Sequence, residues 1–178
     1  AIVRHPNAPG VHGAKRRRAG SEYGVQLKEK QRMKRSYGLR ETQFRKYFEM
    51  ARKKKSVTST VLAQLLEIRL DSVVFRLGFV ESRSQAKQAV GHGHFMVNNI
   101  RVDIPSYQVK PGDIVSIRNQ SATNALFKDL KATIKKYEPP AWLLINKDQL
   151  KGEIKRMPEF EEIEMPFDLH LIIEFYSK

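Results

Sequence analysis

Apolar residues recur every three or four positions along the first half of the chain, which is the spacing of one buried helix face. The spacing predicts helices over 22–37 and 41–54, the first of them ended by Gly38. It also predicts a long helical stretch over 61–77, which Gly78 stops. In the second helix the pattern places four residues in the core: Phe44, Tyr47, Phe48 and Ala51.

Shorter apolar segments, separated by turn residues, follow in the middle of the chain. Ser82 and Gln85 have the spacing of a capping box, which predicts a helix that ends near Gly91. The pair Asn98-Asn99 predicts a hairpin, because asparagine tolerates the positive φ angles of a two-residue turn. The Pro-Gly turn further on predicts a strand over 114–117.

The last third of the chain contains one helical pattern, two strand patterns and one ambiguous segment. Residues 124–137 have amphipathic helix spacing with lysines on the outer face. Residues 142–145 and 152–157 are predicted strands, whereas the apolar segment 168–178 fits a strand or a helix equally well. Helices mixed with short strands in this way indicate an α+β fold.

Positive charge is concentrated at the start of the chain and negative charge at its end. Residues 1–55 contain 17 Lys and Arg against four Asp and Glu, residues 159–178 contain one against six, and the whole chain has a net charge of +14. A basic extended arm is expected over residues 1–20, which have no apolar period. So much positive charge in one third of the chain predicts a polyanionic partner.

Several classes of chemistry find no support in the residues. The chain has no cysteine, which excludes disulfides, thiolate metal sites and cysteine nucleophiles. No apolar run approaches the roughly 18–20 residues of a membrane span, and no signal peptide is visible. Neither a Gly-x-Ser-x-Gly nucleophile motif nor a glycine-rich phosphate loop occurs, so we expect no enzyme activity and no cofactor.

Two histidines alternate with two glycines in the stretch GHGH, residues 91–94, and this raises the question of a metal site or a catalytic base. His92 and His94 have no nearby cluster of acids to complete a metal site, so we do not expect one. We expect a turn at the end of a helix, where the glycines permit a close approach of the backbone.

Nucleic-acid binding is the function that the cations favour, because lysine and arginine neutralise phosphates and release counterions. Arg83 and Lys87 are four residues apart, and Arg69 and Arg76 are seven apart, so each pair is predicted to share a helix face. Paired cations on two short helices indicate recognition of the shape of a folded RNA. The chain has no heptad, zinc-finger or RNP pattern that would indicate another class of reader.

Residues 66–118 resemble the RNA-binding domain that is named after small-subunit ribosomal protein four. That domain also occurs in some pseudouridine synthases and in a class of tyrosyl-tRNA synthetases. The flanking segments resemble the ribosomal protein family itself: APGVHG (8–13), YGVQLKEKQ (23–31), YGLRETQFRKYF (37–48) and the ending FYSK. The resemblance covers nearly the whole chain.

The resemblance implies a mainly helical domain built from residues 21–66 and 158–178, with an α+β RNA-binding domain over 67–157 inserted between them. In the inserted domain, two short helices pack on a small, mostly antiparallel sheet. Asn99 stands where the family usually has glycine, so a tighter or strained turn is expected. Roughly the first thirty residues of the family, where some members hold zinc through cysteines, have no counterpart here; a short lineage and a late start are both open.

The function that the resemblance implies is that of a structural protein of the small ribosomal subunit, which binds the 5′ domain of small-subunit rRNA early in assembly. Its implied partners are this rRNA, ribosomal protein five and the mRNA where it enters the ribosome, with an effect on translational accuracy and no membrane. We expect a cytoplasmic ribosome, and an organellar one stays open. Repression of its own mRNA is one alternative. The binding module of an RNA-modifying enzyme is another, although the chain leaves no room for a catalytic domain.

The residues that the resemblance and the charge pattern place at RNA fall into three groups. The basic arm contributes Lys15, Arg16, Arg17 and Arg18, of which Lys15 and Arg18 would lie near the entering mRNA. The helical region contributes Lys28, Arg32, Arg35, Arg45, Lys53 and Lys54. The inserted domain contributes Arg69, Arg76, Arg83, Lys87, His92 and His94. No catalytic and no metal-binding residue is expected.

Overall fold

The structure, a computed structural model, describes residues 20–163 and 165–177. Its helices and strands confirm the predicted α+β class. The helices are α1 (Glu22–Ser36), α2 (Glu41–Lys53), α3 (Thr58–Glu67), α4 (Leu70–Arg76), α5 (Arg83–Gly91), α6 (Leu130–Lys135) and α7 (Leu169–Ser177). The strands are β1 (Phe95–Val97), β2 (Ile100–Arg101), β3 (Ile114–Ile117), β4 (Leu143–Asn146) and β5 (Lys151–Ile154). They form one antiparallel sheet in the order β2-β1-β3-β5-β4.

The helical part of the molecule consists of α1, α2, α3 and α7. Ser21 caps α1, because its hydroxyl accepts a hydrogen bond from the backbone N–H of Gly24. α2 packs against α3, and α7 lies against both α1 and α3. The four residues that the spacing assigned to the core of α2 are buried. Residues 169–177 form a helix, which decides between the two structures that fitted this segment.

The prediction of one long helical stretch over 61–77 is wrong, because the chain divides it into α3 and α4 at Arg69. Arg69 has an extended backbone, with φ −67° and ψ 141°, and forms an isolated bridge with Gln108. The backbone N–H of Leu70 donates to the carbonyl oxygen of Tyr107 at 2.8 Å. A distant loop thus supplies the hydrogen bonds that a continuous helix would have made internally.

The module, as we call the part formed by the sheet with α4 and α5, has its core on one face of the sheet. Phe95, Val97 and Val115 lie on this face and are buried. Phe79, shortly after α4, stacks on Phe95 with ring centroids 6.0 Å apart. The helices therefore cover one side of the sheet, as expected for an α+β arrangement.

The hairpin turn between β1 and β2 confirms the prediction from its two asparagines. Asn98 and Asn99 have φ angles of 50° and 65°. The side-chain oxygen of Asn98 accepts from the backbone N–H of Ile114 at 2.9 Å, and its amide donates to Asp113 at 2.8 Å. Asn99 occupies the left-handed region where glycine is favoured, which asparagine tolerates better than other side chains do.

The prediction of a helix over 124–137 is wrong in its extent. Only Leu130–Lys135 is α-helical, and a 3₁₀ turn precedes it. The side chain of Asn124 accepts from the backbone N–H of Leu126 at 3.1 Å. A local side-chain cap of this kind competes with the helical hydrogen bonds and favours the turn.

The strands predicted over 142–145 and 152–157 are present as β4 and β5, and the second one ends at Ile154. Among the described residues, no helix has the length and apolar character that crossing a membrane requires. The domain boundaries expected after residues 20, 66 and 157 stay predictions.

Candidate nucleic-acid interface

Arg69 points into the protein. Its guanidinium donates to both carboxylate oxygens of Asp71, at 3.0 and 2.6 Å, and to the hydroxyl of Tyr47 at 2.7 Å. The residue is 2% exposed. These bonds hold α2 against the start of α4, and a guanidinium that is buried and paired in this way has no free donor edge for a phosphate. Arg69 therefore does not fit the RNA-contacting role expected of it.

Arg76 and Arg83 converge on the buried carboxylate of Glu67. Arg76 donates to it at 2.8 and 3.2 Å, Arg83 at 2.9 Å and the hydroxyl of Tyr37 at 2.5 Å. We call these four residues the Glu67 cluster. Burial opposes the charge of Glu67, yet the hydrogen bond from Arg76 and the charges of both arginines outweigh burial and hold the pKa of Glu67 below its ordinary value.

The Glu67 cluster joins the helical part to the module. Tyr37 follows α1, Glu67 ends α3, Arg76 ends α4 and Arg83 begins α5. Arg83 also lies over the ring of Tyr37, 4.3 Å from its centroid. The side chains of Arg76 and Arg83 are only 15% and 18% exposed. The two arginines thus serve first as internal ties, and the outward-facing cation pairs that the spacing predicted are not formed.

Lys87 lies at the seam between the two parts. Its Nζ donates to the carbonyl oxygen of Gly38 at 2.6 Å, just after the end of α1. Lys87 remains exposed, in contrast to Arg83 one turn earlier on the same helix. One hydrogen bond to a carbonyl leaves the ammonium with further donors for an external phosphate.

The two histidines of the GHGH stretch lie where α5 ends and the chain turns toward β1. The turn is made at Gly93, which has φ 72°, rather than at Gly91. The rings of His92 and His94 meet edge to face with centroids 5.9 Å apart, and Nδ1 of His94 is 2.9 Å from Oγ of Ser121. Throughout the described part of the chain, no three His, Asp or Glu side chains come together as potential metal ligands.

Two arginines that were not singled out in the sequence, Arg101 and Arg118, lie beside this turn. Arg101 is paired with Met96 across the hairpin, and the backbone N–H of Arg118 donates to the carbonyl oxygen of His94 at 2.8 Å. Desolvation lowers the pKa of His94, and electrostatic interactions with His92, Arg101 and Arg118 lower it further. A two-residue turn fixes which residues of the two strands are paired. Counting residue pairs outward from Asn98-Asn99 in the sequence could therefore have placed Arg101 next to the GHGH stretch.

The module rim is the name that we give to Lys87, His92, His94, Arg101 and Arg118. A cavity of about 240 Å³ opens beside the two histidines and is also lined by Gln85, Gln88 and Asn124. The cations of the rim therefore lie beside a cavity lined with amide side chains. Amides can donate to phosphate oxygens and accept from ribose hydroxyls.

Exposed cations also occur on the helical part, and we call the following five residues the helical-part cations: Lys28, Arg35, Arg45, Lys53 and Lys54. Arg32 differs from them, because its half-exposed side chain pairs with Glu29 at 3.4 Å and lies 5.5 Å from the ring centroid of Phe167. The arm residues Lys15, Arg16, Arg17 and Arg18 lie outside the described residues.

Comparison with known proteins gives full-length matches. The family model described as the Ribosomal protein S4/S9 N-terminal domain matches residues 2–67, and that of the S4 domain matches residues 68–115. Small ribosomal subunit protein uS4 of Natranaerobius thermophilus is 48% identical over 178 residues, which is 100% of this chain and 85% of the relative. The protein of the same name from Thermus thermophilus is 47% identical over the same shares. The chain belongs to the uS4 family.

Membership of the uS4 family confirms the resemblance drawn from the sequence motifs. The two matched segments meet between Glu67 and Ile68, so the Glu67 cluster lies at their junction. Proteins of the uS4 family are ribosomal structural proteins, and this chain is accordingly not an enzyme.

Proposed function

We propose that this member of the uS4 family holds small-subunit rRNA through two groups of solvent-accessible cations on one scaffold. The chain is a structural constituent of the small ribosomal subunit that binds rRNA, in keeping with its full-length likeness to uS4 proteins. The observation that carries the finer proposal is the division of the cations by their partners. Arg69, Arg76 and Arg83 are engaged by carboxylates, whereas the module rim and the helical-part cations reach solvent.

The two groups of cations approach each other where α5 touches the end of α1. Lys87 of the module rim bonds to Gly38, and Arg35 of the helical part lies three residues before that glycine. Because the Glu67 cluster ties α1, α3, α4 and α5 together, the distance between the two groups is set by the fold. A folded RNA whose phosphates match this distance would contact both groups without being deformed, whereas a mismatched RNA would have to be deformed to reach both and would bind more weakly.

The chemistry of the two groups suits a phosphate backbone. Arg35, Arg45, Arg101 and Arg118 present planar guanidinium groups that bind phosphate through two parallel hydrogen bonds. The aromatic residues of α2 are buried in the core and are not available as stacking platforms for bases. We therefore assign α2 no stacking role, and the guanidinium groups carry recognition by charge and shape.

The target that we propose is the 5′ domain of small-subunit rRNA, bound early in assembly at a junction of several RNA helices. We also propose contacts with ribosomal protein five and with the mRNA where it enters the ribosome, a contribution to translational accuracy, and a place on cytoplasmic ribosomes. These proposals rest on the resemblance of the motifs in residues 8–48 and 66–118. Lys15 and Arg18, proposed to contact mRNA, belong to the part of the chain outside the described residues.

A salt series tests the proposed recognition. The full chain is titrated against a transcript of the 5′ domain of small-subunit rRNA and against an unrelated folded RNA of equal length. We expect the 5′-domain transcript to keep an advantage of about tenfold or more at high salt, because shape matching adds to the charge term. If both affinities collapse together, the net charge explains binding and shape selection is refuted.

Paired variants test the division of the cations. Arg101→Gln combined with Arg118→Gln is expected to lower the slope of log K against log salt by about two, because two phosphate contacts are lost. The matched control is Lys128→Gln combined with Lys135→Gln, which removes two exposed cations outside both groups. An equal change of slope in the control would contradict the assignment of the module rim.

A further inference from the structure

Four side chains that carry or can acquire positive charge converge on the turn between α5 and β1. His92 is the last cap residue of α5, and His94 directly precedes β1. Arg101 comes from β2, and Arg118 directly follows β3. Three separate segments of the chain thus bring their cationic side chains to one place.

Gly93 admits one of these arginines. A Cβ atom at this position would collide with the guanidinium of Arg101, and the φ angle of 72° is itself one that glycine favours. The guanidinium of Arg101 therefore lies against the backbone of the turn at Gly93, the residue between the two histidines. Glycine at this position thus permits both the positive φ angle of the turn and the close approach of the Arg101 guanidinium.

The charges that act on His94 are all positive in the part of the chain that the structure describes. His92 acts from the end of α5, Arg101 from β2 and Arg118 from the end of β3. The 3₁₀ turns on the remaining side contribute Ser121 and Phe127, which are uncharged. The carboxylate of Asp103 lies 3.8 Å from Arg101, but both side chains are more than half exposed and are screened by water.

Ser121 fits His94 in either protonation state. Its hydroxyl lies 2.9 Å from Nδ1, and the residue is 7% exposed. A neutral ring can accept the serine proton at Nδ1, and a cationic ring can donate its own Nδ1–H to the serine oxygen, since a hydroxyl rotates to suit. In the cationic form Nε2–H remains available as a donor to an acceptor other than Ser121.

We propose that the module rim is a proton-linked phosphate site, in which His94 takes up one proton from solvent when an RNA phosphate binds. In the free protein, desolvation of the half-buried ring and the neighbouring cations lower the pKa of His94 and so disfavour its cationic form. A phosphate bound beside the ring reverses the balance by stabilising the imidazolium. The proton joins the ring nitrogen that carries no hydrogen in the neutral form, and the charge that it adds strengthens the contact with the phosphate.

The sign of the effect follows from linkage. Proton uptake on binding means that RNA affinity rises as the pH falls through the range between the pKa of free and of bound His94, by up to about tenfold per pH unit for one proton. The folding stability of the free protein depends on pH in the opposite direction. Because the folded state lowers the pKa of His94, the stability that this residue contributes is present above its ordinary value of 6.5 and is lost as the pH falls.

This inference rests on the proposed function, and its test is calorimetric. The full chain is titrated with the 5′-domain transcript near pH 6.5 in two buffers that differ in ionisation enthalpy, which gives the number of protons taken up. We expect a net uptake of protons, up to one, for the wild type. The variant His94→Gln, which keeps a hydrogen-bonding side chain but cannot be protonated there, is expected to lose this uptake and the rise of affinity in acid.

His170→Gln is the matched control, because the side chain of His170 on α7 is 81% exposed and lies outside the rim. It is expected to keep the wild-type uptake. A nitrogen NMR titration of the His94 ring in the wild type, free and bound to the transcript, provides a second measurement that no variant can disturb. It is expected to show a larger cationic fraction of the ring in the complex than in the free protein at the same pH.

The outcomes separate the inference from the function on which it rests. Failure to bind the transcript at any pH would overturn the proposed function. Binding without proton uptake, or with the same uptake in His94→Gln, would overturn the proton-linked site and leave RNA binding intact. A His94 ring that stays neutral in the complex would also overturn the proton-linked site.

Discussion

Replacement of Glu67 by glutamine is expected to destabilise the fold strongly, because it leaves two arginines facing an uncharged amide. Glu67→Gln preserves the size of the side chain, which is 1% exposed, removes the charge that Arg76 and Arg83 share and replaces one accepting oxygen with an NH2 donor. Loss of one partner from a buried ion pair costs about 3–5 kcal/mol. Since the two arginines retain some access to water, we expect the lower end, about 3 kcal/mol.

Urea unfolding of the full chain measures this loss through the fluorescence of Trp142, the single tryptophan, which is 1% exposed. With a slope of about 2 kcal/mol per molar urea, the midpoint should fall by about 1.5 M. The matched control is Glu161→Gln, an exposed acid, and it should change the midpoint little. A loss below about 1 kcal/mol for Glu67→Gln would refute the stabilising role of the cluster.

RNA binding by the same variant tests the role of the two arginines. If Arg76 and Arg83 are internal ties, Glu67→Gln should weaken binding to the 5′-domain transcript without changing the salt slope, because no phosphate contact is lost. A steeper slope with tighter binding would mean that the arginines had been released from Glu67 to bind phosphate. That result would favour the role that the sequence spacing predicted for them.

Three further predictions concern the C-terminal helix and the sheet. Tyr176→Phe removes the hydrogen bond from its hydroxyl to Glu41 at 2.8 Å, and it should lower the free energy of unfolding by about 1 kcal/mol in urea, whereas the exposed Tyr23→Phe should not. Hydrogen bonds from Lys30, Lys34 and Tyr176 outweigh burial and lower the pKa of Glu41 from 4.5 to about 2, so thermal stability should fall as the pH drops through this range, and Glu41→Gln should flatten that fall. Gly152→Ala places a Cβ against the side chain of Leu77 and should cost about 1–3 kcal/mol by overpacking, which urea unfolding would register; a variant as stable as the wild type would show that Leu77 can move aside.

The elements that the sequence predicted correctly are those whose signals are local. The buried face of α2 follows from the spacing of Phe44 to Ala51, and the hairpin follows from the tolerance of Asn98 and Asn99 for positive φ. The break between α3 and α4 could not be found in this way. It depends on the hydrogen bond that the carbonyl oxygen of Tyr107 accepts from the backbone N–H of Leu70 and on a carboxylate that draws Arg69 inward, and neither contact leaves a periodic signal near residue 69.

The candidate interface was predicted least well where cations have partners far along the chain. Arg83 and Lys87 share a helix face by spacing, but one of them meets a carboxylate 16 residues earlier and the other a carbonyl oxygen 49 residues earlier. Hydrophobic periodicity describes which side of a helix is covered and carries no information about which acid lies opposite a cation. Arg101 and Arg118 were missed for the converse reason, since each is a single cation, on β2 or directly after β3, and only the sheet register brings them to the histidines.

The separation of internal from external cations has a consequence for how mutants of this protein should be interpreted. Loss of an arginine from the Glu67 cluster changes the arrangement of the two parts, so it should weaken every RNA that touches both parts and leave the salt slope unaltered. Loss of an arginine from the module rim removes a phosphate contact, so it should lower the slope and affect even an RNA that touches the module alone. Affinity at one salt concentration cannot distinguish these two mechanisms, because both lower it. The slope distinguishes them, since it counts released counterions and is insensitive to how well the scaffold holds its shape.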